Sequence, residues 1–138
     1  MQILGRHLIV EYSDCDRDIL DNLDRLETDM KDAARKSGAT IVRSVFHRYN
    51  PQGLSGVVVI AESHMSIHTW PEYGYAAVDF FTCGDSVDPY LAFEHMKLQL
   101  RARNAQVSEI KRGIPSETDE VLRHKPVPAF VSSLNAQA

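Results

Sequence analysis

GVVVIAESHMSIHTWPEYGYAAVDFFTCG, residues 56–84, is the stretch on which the fold turns. It opens on a short, nearly continuous apolar run, Val57 to Ala61, which reads as a central strand. It closes on a second run, Tyr75 to Cys83, bounded by Gly74 and Gly84, which also reads as a strand. Between them lies a dense polar and aromatic segment, Glu62 to Glu72, of less regular pattern. Pro71 and Gly74 predict an edge or a turn near its end. A buried strand that ends in acid, hydroxyl and imidazole groups is a place to build a site. The bland alternative is a solvated strand end with satisfied polar groups.

Working toward the N-terminus, YNPQGLSG carries the Pro and Gly signals of a turn, and Ala39 to His47 reads as a strand. Ile3 to Tyr12 reads as the first strand, with Asp14 and Asp16 as N-cap candidates after it. Ile19, Leu20, Leu23, Leu26, Met30, Ala33 and Ala34 recur at the helical period and predict one helix ending at Gly38. Toward the C-terminus, Asp88-Pro89 pairs a capping acid with a proline in the first turn. Ala92, Phe93, Met96 and Leu100 place an apolar stripe on the helix that follows. Asn104 to Gly113 reads as a last strand.

The order β-α-β-β-(β)-β-α-β predicts a two-layer α/β sandwich, a mainly antiparallel sheet with two helices on one face. The other sheet face then needs cover, and a second subunit can supply it. Residues 1–113 form the expected domain and 114–138 a C-terminal tail. Pro115, Pro126 and Pro128 forbid a long regular helix in that tail.

At 138 residues, the chain is long enough for one domain with a real core. Its formal net charge of -4 gives no sign of a nucleic-acid surface. Cys15 and Cys83 have no CxxC spacing and read as free thiols of a reducing compartment. The N-terminus has Arg6 and His7 inside its short apolar run, unlike a signal peptide or a membrane span. A cytoplasmic protein is expected.

Several chemistries compete for the polar segment. His64 and His68 share a strand face and can pair on a metal with Glu62 or Glu72, but no HExxH or cysteine pair supports this. No metal is expected. Ser63, His68 and Glu72 can be arranged as a hydrolase triad, yet the GxSxG signature is absent. Cys83, at a strand end before Gly84, is either an inert buried thiol or a proton donor or nucleophile. Ser55 reads as a turn or strand-start residue. Glu11 shares a strand face with Ile9, and a lone acid there is usually solvated. His7 and His47 read as core-edge or surface histidines unless the fold brings them in.

AESHMSIHTWPEYGYAAVDFFTCG closely resembles the self-processing segment of the short prokaryotic S-adenosylmethionine decarboxylases. GRHLIVEY and FHRYNPQGLSGVVVIAESH are similar to the same family, so the resemblance runs from about Gly5 to about Arg112. It implies an inactive proenzyme that cuts itself between Glu62 and Ser63, Ser63 becoming a pyruvoyl group. It implies His68 as a processing residue, Ser55 as a serine implicated in processing, and Cys83 as the catalytic proton donor. Glu72 corresponds to a glutamate that contacts the substrate ribose, and Glu11 more loosely to a residue near the site. The partners implied are S-adenosylmethionine and a second copy of the chain, in a homodimer whose protomers are each cleaved in two and whose sites use both protomers. The product implied is the aminopropyl donor for spermidine synthesis.

The residues suit that chemistry. The Ser63 hydroxyl lies beside the preceding carbonyl, a placement that favours an internal amide-to-ester shift. A donor such as Ser55 can steady the developing oxyanion, and His68 can remove a proton near neutral pH. The pyruvoyl ketone can form a Schiff base with the substrate amine, so no separate cofactor is needed. Phe46, Tyr49 and Trp70 are the nearby aromatics for adenine or sulfonium, though strand aromatics more often pack a core. Two alternatives stand beside this reading: a pyruvoyl decarboxylase of another amino acid such as arginine, and a catalytically dead regulatory partner.

Overall fold

The computed structural model describes residues 3–114. In chain order these form β1 (Gly5–Ser13), α1 (Arg17–Leu20), α2 (Leu23–Ser37), β2 (Ile41–Arg48), β3 (Leu54–Ile60), β4 (Ser63–Trp70), β5 (Tyr75–Cys83), α3 (Pro89–Gln99) and β6 (Asn104–Arg112). The six strands make one sheet in the order β2-β3-β4-β5-β1-β6, with every pairing antiparallel. The two-layer α/β sandwich is borne out. The tail expected over 114–138 lies outside the described residues beyond Ile114. No helix among the described residues is long and apolar enough to cross a membrane.

Alternation along the strands decides which side is covered. In β5, Ala76, Val78, Phe80 and Thr82 are buried, while Tyr75, Ala77, Asp79, Phe81 and Cys83 are only partly so. The buried set joins Leu8, Val10, Met65 and Ile67 from the neighbouring strands and meets Leu26, Met30, Ala33, Phe93 and Met96 from the helices. Each of the large apolar side chains contributes about 1.5–3 kcal/mol by leaving water. Gly56 is required inside β3 because the Phe46 ring, from β2, occupies the space a Cβ would take. Phe46 therefore packs into the core layer and does not line the open face.

The first helix is split, contrary to the single helix expected. Periodicity runs unbroken through Ile19, Leu20 and Leu23, but Asp21 and Asn22 are not helical. The Asn22 side chain accepts a hydrogen bond from Arg25 N and starts α2 afresh. The Thr69 hydroxyl donates to Leu20 O at 2.8 Å, and the Asp21 carboxylate accepts from Gly53 N and Arg48 Nη2. Tertiary partners thus claim the polar groups that a continuous helix would have used. Asp16 caps α1, and Gly38 ends α2 in the left-handed conformation at φ 91°.

The segment of less regular pattern, expected as a possible strand with an edge or a turn near its end, is over residues 63–70 a full interior strand. Pro71 ends it by opening a single 3-10 turn, Pro71–Tyr73.

His95 on α3 is buried with no partner at Nε2. Burial, then Lys36, pushes its pKa down, against the smaller pull of Asp29 and Asp32. The unfolded chain therefore binds the proton more readily. His95 contributes stability that is full above the ordinary imidazole pKa of about 6.5 and is lost as pH falls from there toward the lower folded value. His95→Leu should show a smaller drop in Tm between about pH 7.5 and about pH 5.5 than the parent. Parallel Tm profiles for the two proteins would contradict this.

Candidate active site

The Glu62-Ser63 bond sits at the tip of a tight hairpin, because Ile60 of β3 pairs directly with Ser63 of β4. The tip is held by three hydrogen bonds, from Cys83 on one side and Thr40 on the other. Cys83 N donates to Glu62 O at 2.7 Å, Thr40 N donates to Glu62 Oε1 at 3.0 Å, and Ala61 N donates to Thr40 O at 2.9 Å. Glu62 is only 6% exposed, which is unusual for a hairpin tip. Ser63 has φ 134°, a conformation a residue with a Cβ adopts only under constraint. Strain of this kind stores about 1–3 kcal/mol and gathers at functional sites. The Ser63 hydroxyl lies 3.2 Å from Cys83 Sγ.

His68 and Ser55 form a second cluster. They pair directly across β3 and β4, and Ser55 Oγ lies 2.8 Å from His68 Nδ1. Tyr49, Gln52, Trp70 and Glu72 join them around a groove of about 300 Å³. Glu72 accepts a hydrogen bond from Gln52 Nε2 at 3.0 Å. Register extends the same row through Ala77 to Glu11 on β1. Glu11 neighbours Tyr75, whose hydroxyl pKa is pushed up to about 12 by burial first and Glu11 second.

The structure thus separates residues that the sequence places close together. Ser63 and His68 are five residues apart on one extended strand, so they stand about 16 Å apart. One end of β4 holds the Glu62-Ser63 bond, with Cys83 beside it. The other end holds Ser55, His68, Glu72 and, two strands away, Glu11. A triad of Ser63, His68 and Glu72 within one chain is excluded by this spacing, as is a metal shared by His64 and His68 with Glu62 or Glu72.

Another group on this face was not legible beforehand. Asp79 of β5 accepts from His7 Nε2 of β1 at 2.6 Å and from His64 Nε2 of β4 at 2.9 Å through one oxygen. Ser66 donates to its other oxygen. Burial pushes the Asp79 carboxyl up, but the hydrogen bonds from Ser66, His7 and His64 outweigh it, and the net shift is downward. Only strand order could have found this cluster, since its members span 72 residues of sequence.

The open sheet face also carries exposed apolar side chains: Ile9, Val45, Val59, Trp70 and Ile110. An apolar face of this kind, studded with titratable groups, marks a surface built for contact or catalysis. The molecule is therefore a two-layer α/β protein whose candidate site residues form two groups at opposite ends of β4.

The S-adenosylmethionine decarboxylase family model matches residues 6–113. The chain belongs to that family, as the resemblance over residues 5–112 implied. The S-adenosylmethionine decarboxylase proenzyme of Thermotoga maritima is 61% identical over 113 residues, covering 82% of this chain and 87% of the relative. The proenzyme of the same name from Fervidobacterium nodosum is 54% identical over 136 residues, covering 97% of this chain and 99% of the relative. The crystal structure of the adenosylmethionine decarboxylase from Aquifex aeolicus superposes with a TM-score of 0.80 at 33% identity, covering 88% of this chain and 100% of that one.

Proposed function

We propose that this family member cuts itself between Glu62 and Ser63, turns Ser63 into a pyruvoyl group, and decarboxylates S-adenosylmethionine to the aminopropyl donor of spermidine synthesis. The observation that carries the reading is the hairpin tip. A serine with φ 134° follows a carbonyl already held by a backbone N–H at 2.7 Å. The donor that fixes the carbonyl can also stabilise the oxyanion formed when Ser63 Oγ attacks it. Collapse toward the ester breaks the strained Glu62-Ser63 amide and moves a proton to the Ser63 amine.

A base then removes the Ser63 α-proton, the ester C–O bond breaks, and the upstream chain leaves with a Glu62 carboxylate. The remaining dehydroalanine becomes the ketone by tautomerising, taking up water and losing ammonia. His68 is the base, oriented by Ser55 through Nδ1 so that Nε2 is free for the proton. It lies about 16 Å away along β4 in its own protomer, so His68 of a second copy must serve. Two chains packed through their open faces about a two-fold axis would bring the Ser55/His68 end of each to the Ser63/Cys83 end of the other. The exposed Ile9, Val45, Val59 and Ile110 support that packing.

The pyruvoyl ketone supplies an electrophile that captures the substrate amine and takes up the electrons released with CO2. The residues present fit such a group. Cys83 Sγ is already 3.2 Å from the Ser63 side chain, close enough to return a proton to the substrate α-carbon. Glu72, in the groove with Tyr49 and Trp70, can accept hydrogen bonds from the ribose hydroxyls. Glu11 lines the same row and is a looser contributor to that end. Residues 1–113 are the catalytic unit in this reading, and 114–138 are a tail with no assigned role.

The masses of the denatured protein test the reading. Two fragments divided between Glu62 and Ser63, the downstream one blocked by a ketone, are expected. Cys83→Ala should divide in the same way yet turn over S-adenosylmethionine about 10²–10⁴-fold more slowly. A chain that stays whole through prolonged native incubation would overturn the self-cleavage, and normal turnover by Cys83→Ala would remove it as proton donor.

A further inference from the structure

The His7, His64 and Asp79 cluster is not used by any step above, and its atoms are arranged as metal ligands are. The two imidazole Nε2 atoms and the carboxylate oxygen all lie within 4.8 Å of one another. We propose that His7, His64 and Asp79 form a binding site for one late first-row divalent cation, with Zn2+ the expected occupant.

Three observations carry it. First, the backbone fixes the ligand positions. β4, β5 and β1 are adjacent, His64 pairs with Phe81 and Phe81 with His7, and Asp79 lies one row along the same face. Ligands bound to zinc at about 2.0–2.2 Å stand roughly 3–4 Å apart, so the three atoms need shifts of no more than about an ångström. Second, the outer groups resemble those that orient metal ligands. Ser66 donates to the Asp79 oxygen that the histidines do not use. Phe81 packs against both imidazoles, with ring centroids 5.0 Å from His7 and 5.7 Å from His64, which restrains their rotation. Third, the side chains of His7, His64 and Asp79 are 17%, 38% and 23% exposed in the single chain, on the face that the packing of two chains would cover, so the fourth ligand is a trapped water or a group of the second copy.

The donor set selects the ion. Two nitrogens and one carboxylate suit Zn2+ and its neighbours, whereas Mg2+ and Ca2+ prefer all-oxygen shells. Without a cation, each imidazole donates its Nε2 proton to Asp79. Binding moves that proton to Nδ1 of each ring and puts the metal in its place, with no net change in protons. The guanidinium of Arg112 lies 4.5 Å from the centroid of the Phe81 ring, and a positive charge on this side limits the affinity without occupying the ligand positions.

Co2+ titrated into the full-length protein is the test, since its visible d–d absorption reports ligand type and number. One equivalent per chain should give the bands of a tetrahedral nitrogen–oxygen site, and Zn2+ should displace it. Ser66→Ala, which leaves the ligands in place, should weaken binding about 10–100-fold. Asp79→Asn and His64→Gln should weaken it more. Zn2+ should raise Tm in the parent but not in these two variants, each compared with its own metal-free form so that any loss of intrinsic stability cancels. Intense near-ultraviolet thiolate bands would place the ion on Cys83 or Cys15 and overturn the proposal. So would equal binding by the parent and Asp79→Asn, or no saturable binding at all. The outcome does not depend on self-cleavage, because the ligands are present in whole and divided chains alike.

Discussion

Ser63→Ala is expected to fold, to remain a single full-length chain, and to show no decarboxylation of S-adenosylmethionine above background. The reason is local to one atom. Ser63 Oγ is the only hydroxyl covalently placed to reach the Glu62 carbonyl through a five-membered ring, and without it no ester forms and no ketone follows. The fold does not depend on that atom. Its one hydrogen-bond partner among the described residues is Cys83 Sγ at 3.2 Å, and the core on the helix side is untouched. The loss should therefore be about 1 kcal/mol or less in stability but complete in activity. Intact mass and substrate turnover read the two effects separately. Fragments divided at residue 63, or activity in the uncut variant, would refute Ser63 as the source of the catalytic group.

His68→Ala should slow maturation by about 10²–10⁴-fold, the usual worth of a positioned general base. The ester should then accumulate between Glu62 and Ser63, and hydroxylamine should release a downstream chain that begins with serine instead of a ketone. The distance of about 16 Å along β4 adds a sharper test. If each site takes Ser63 from one protomer and His68 from the other, co-expressing His68→Ala with Ser63→Ala regenerates one complete site per mixed dimer. Such dimers should divide one of their two chains and recover roughly half of the parent activity, as expected for one intact and one doubly broken site. If both residues served within one chain, no mixture would recover anything, and the two-protomer site would be wrong.

Much of the fold was legible because it rests on local rules. Asp88-Pro89 starts α3, Gly38 ends α2, and the β5 boundaries fall where Gly74 and Gly84 place them. Two features were not. Asp21 and Asn22 interrupt a helix whose apolar period continues through them, because Asp21 takes its partners Gly53 and Arg48 from distant segments and Asn22 caps the next helix at Arg25 N. The segment from Ser63 to Trp70 looks irregular because its outward positions are His64, Ser66, His68 and Trp70, polar or aromatic on an uncovered face. Its inward positions Met65, Ile67 and Thr69 keep the strand period.

The sequence by itself determined the family and the proposed chemistry, since the proposed cleavage bond and its nucleophile are neighbours in the chain and the motif around them is continuous from residue 61 to residue 84. The tertiary structure alone decided how that chemistry is shared out. A strand spreads its residues along its length at about 3.3 Å each, which parts Ser63 from His68. Antiparallel register then joins residues no sequence window links: Ser63 with Cys83, Ser55 with His68, and His7 with Asp79 and His64.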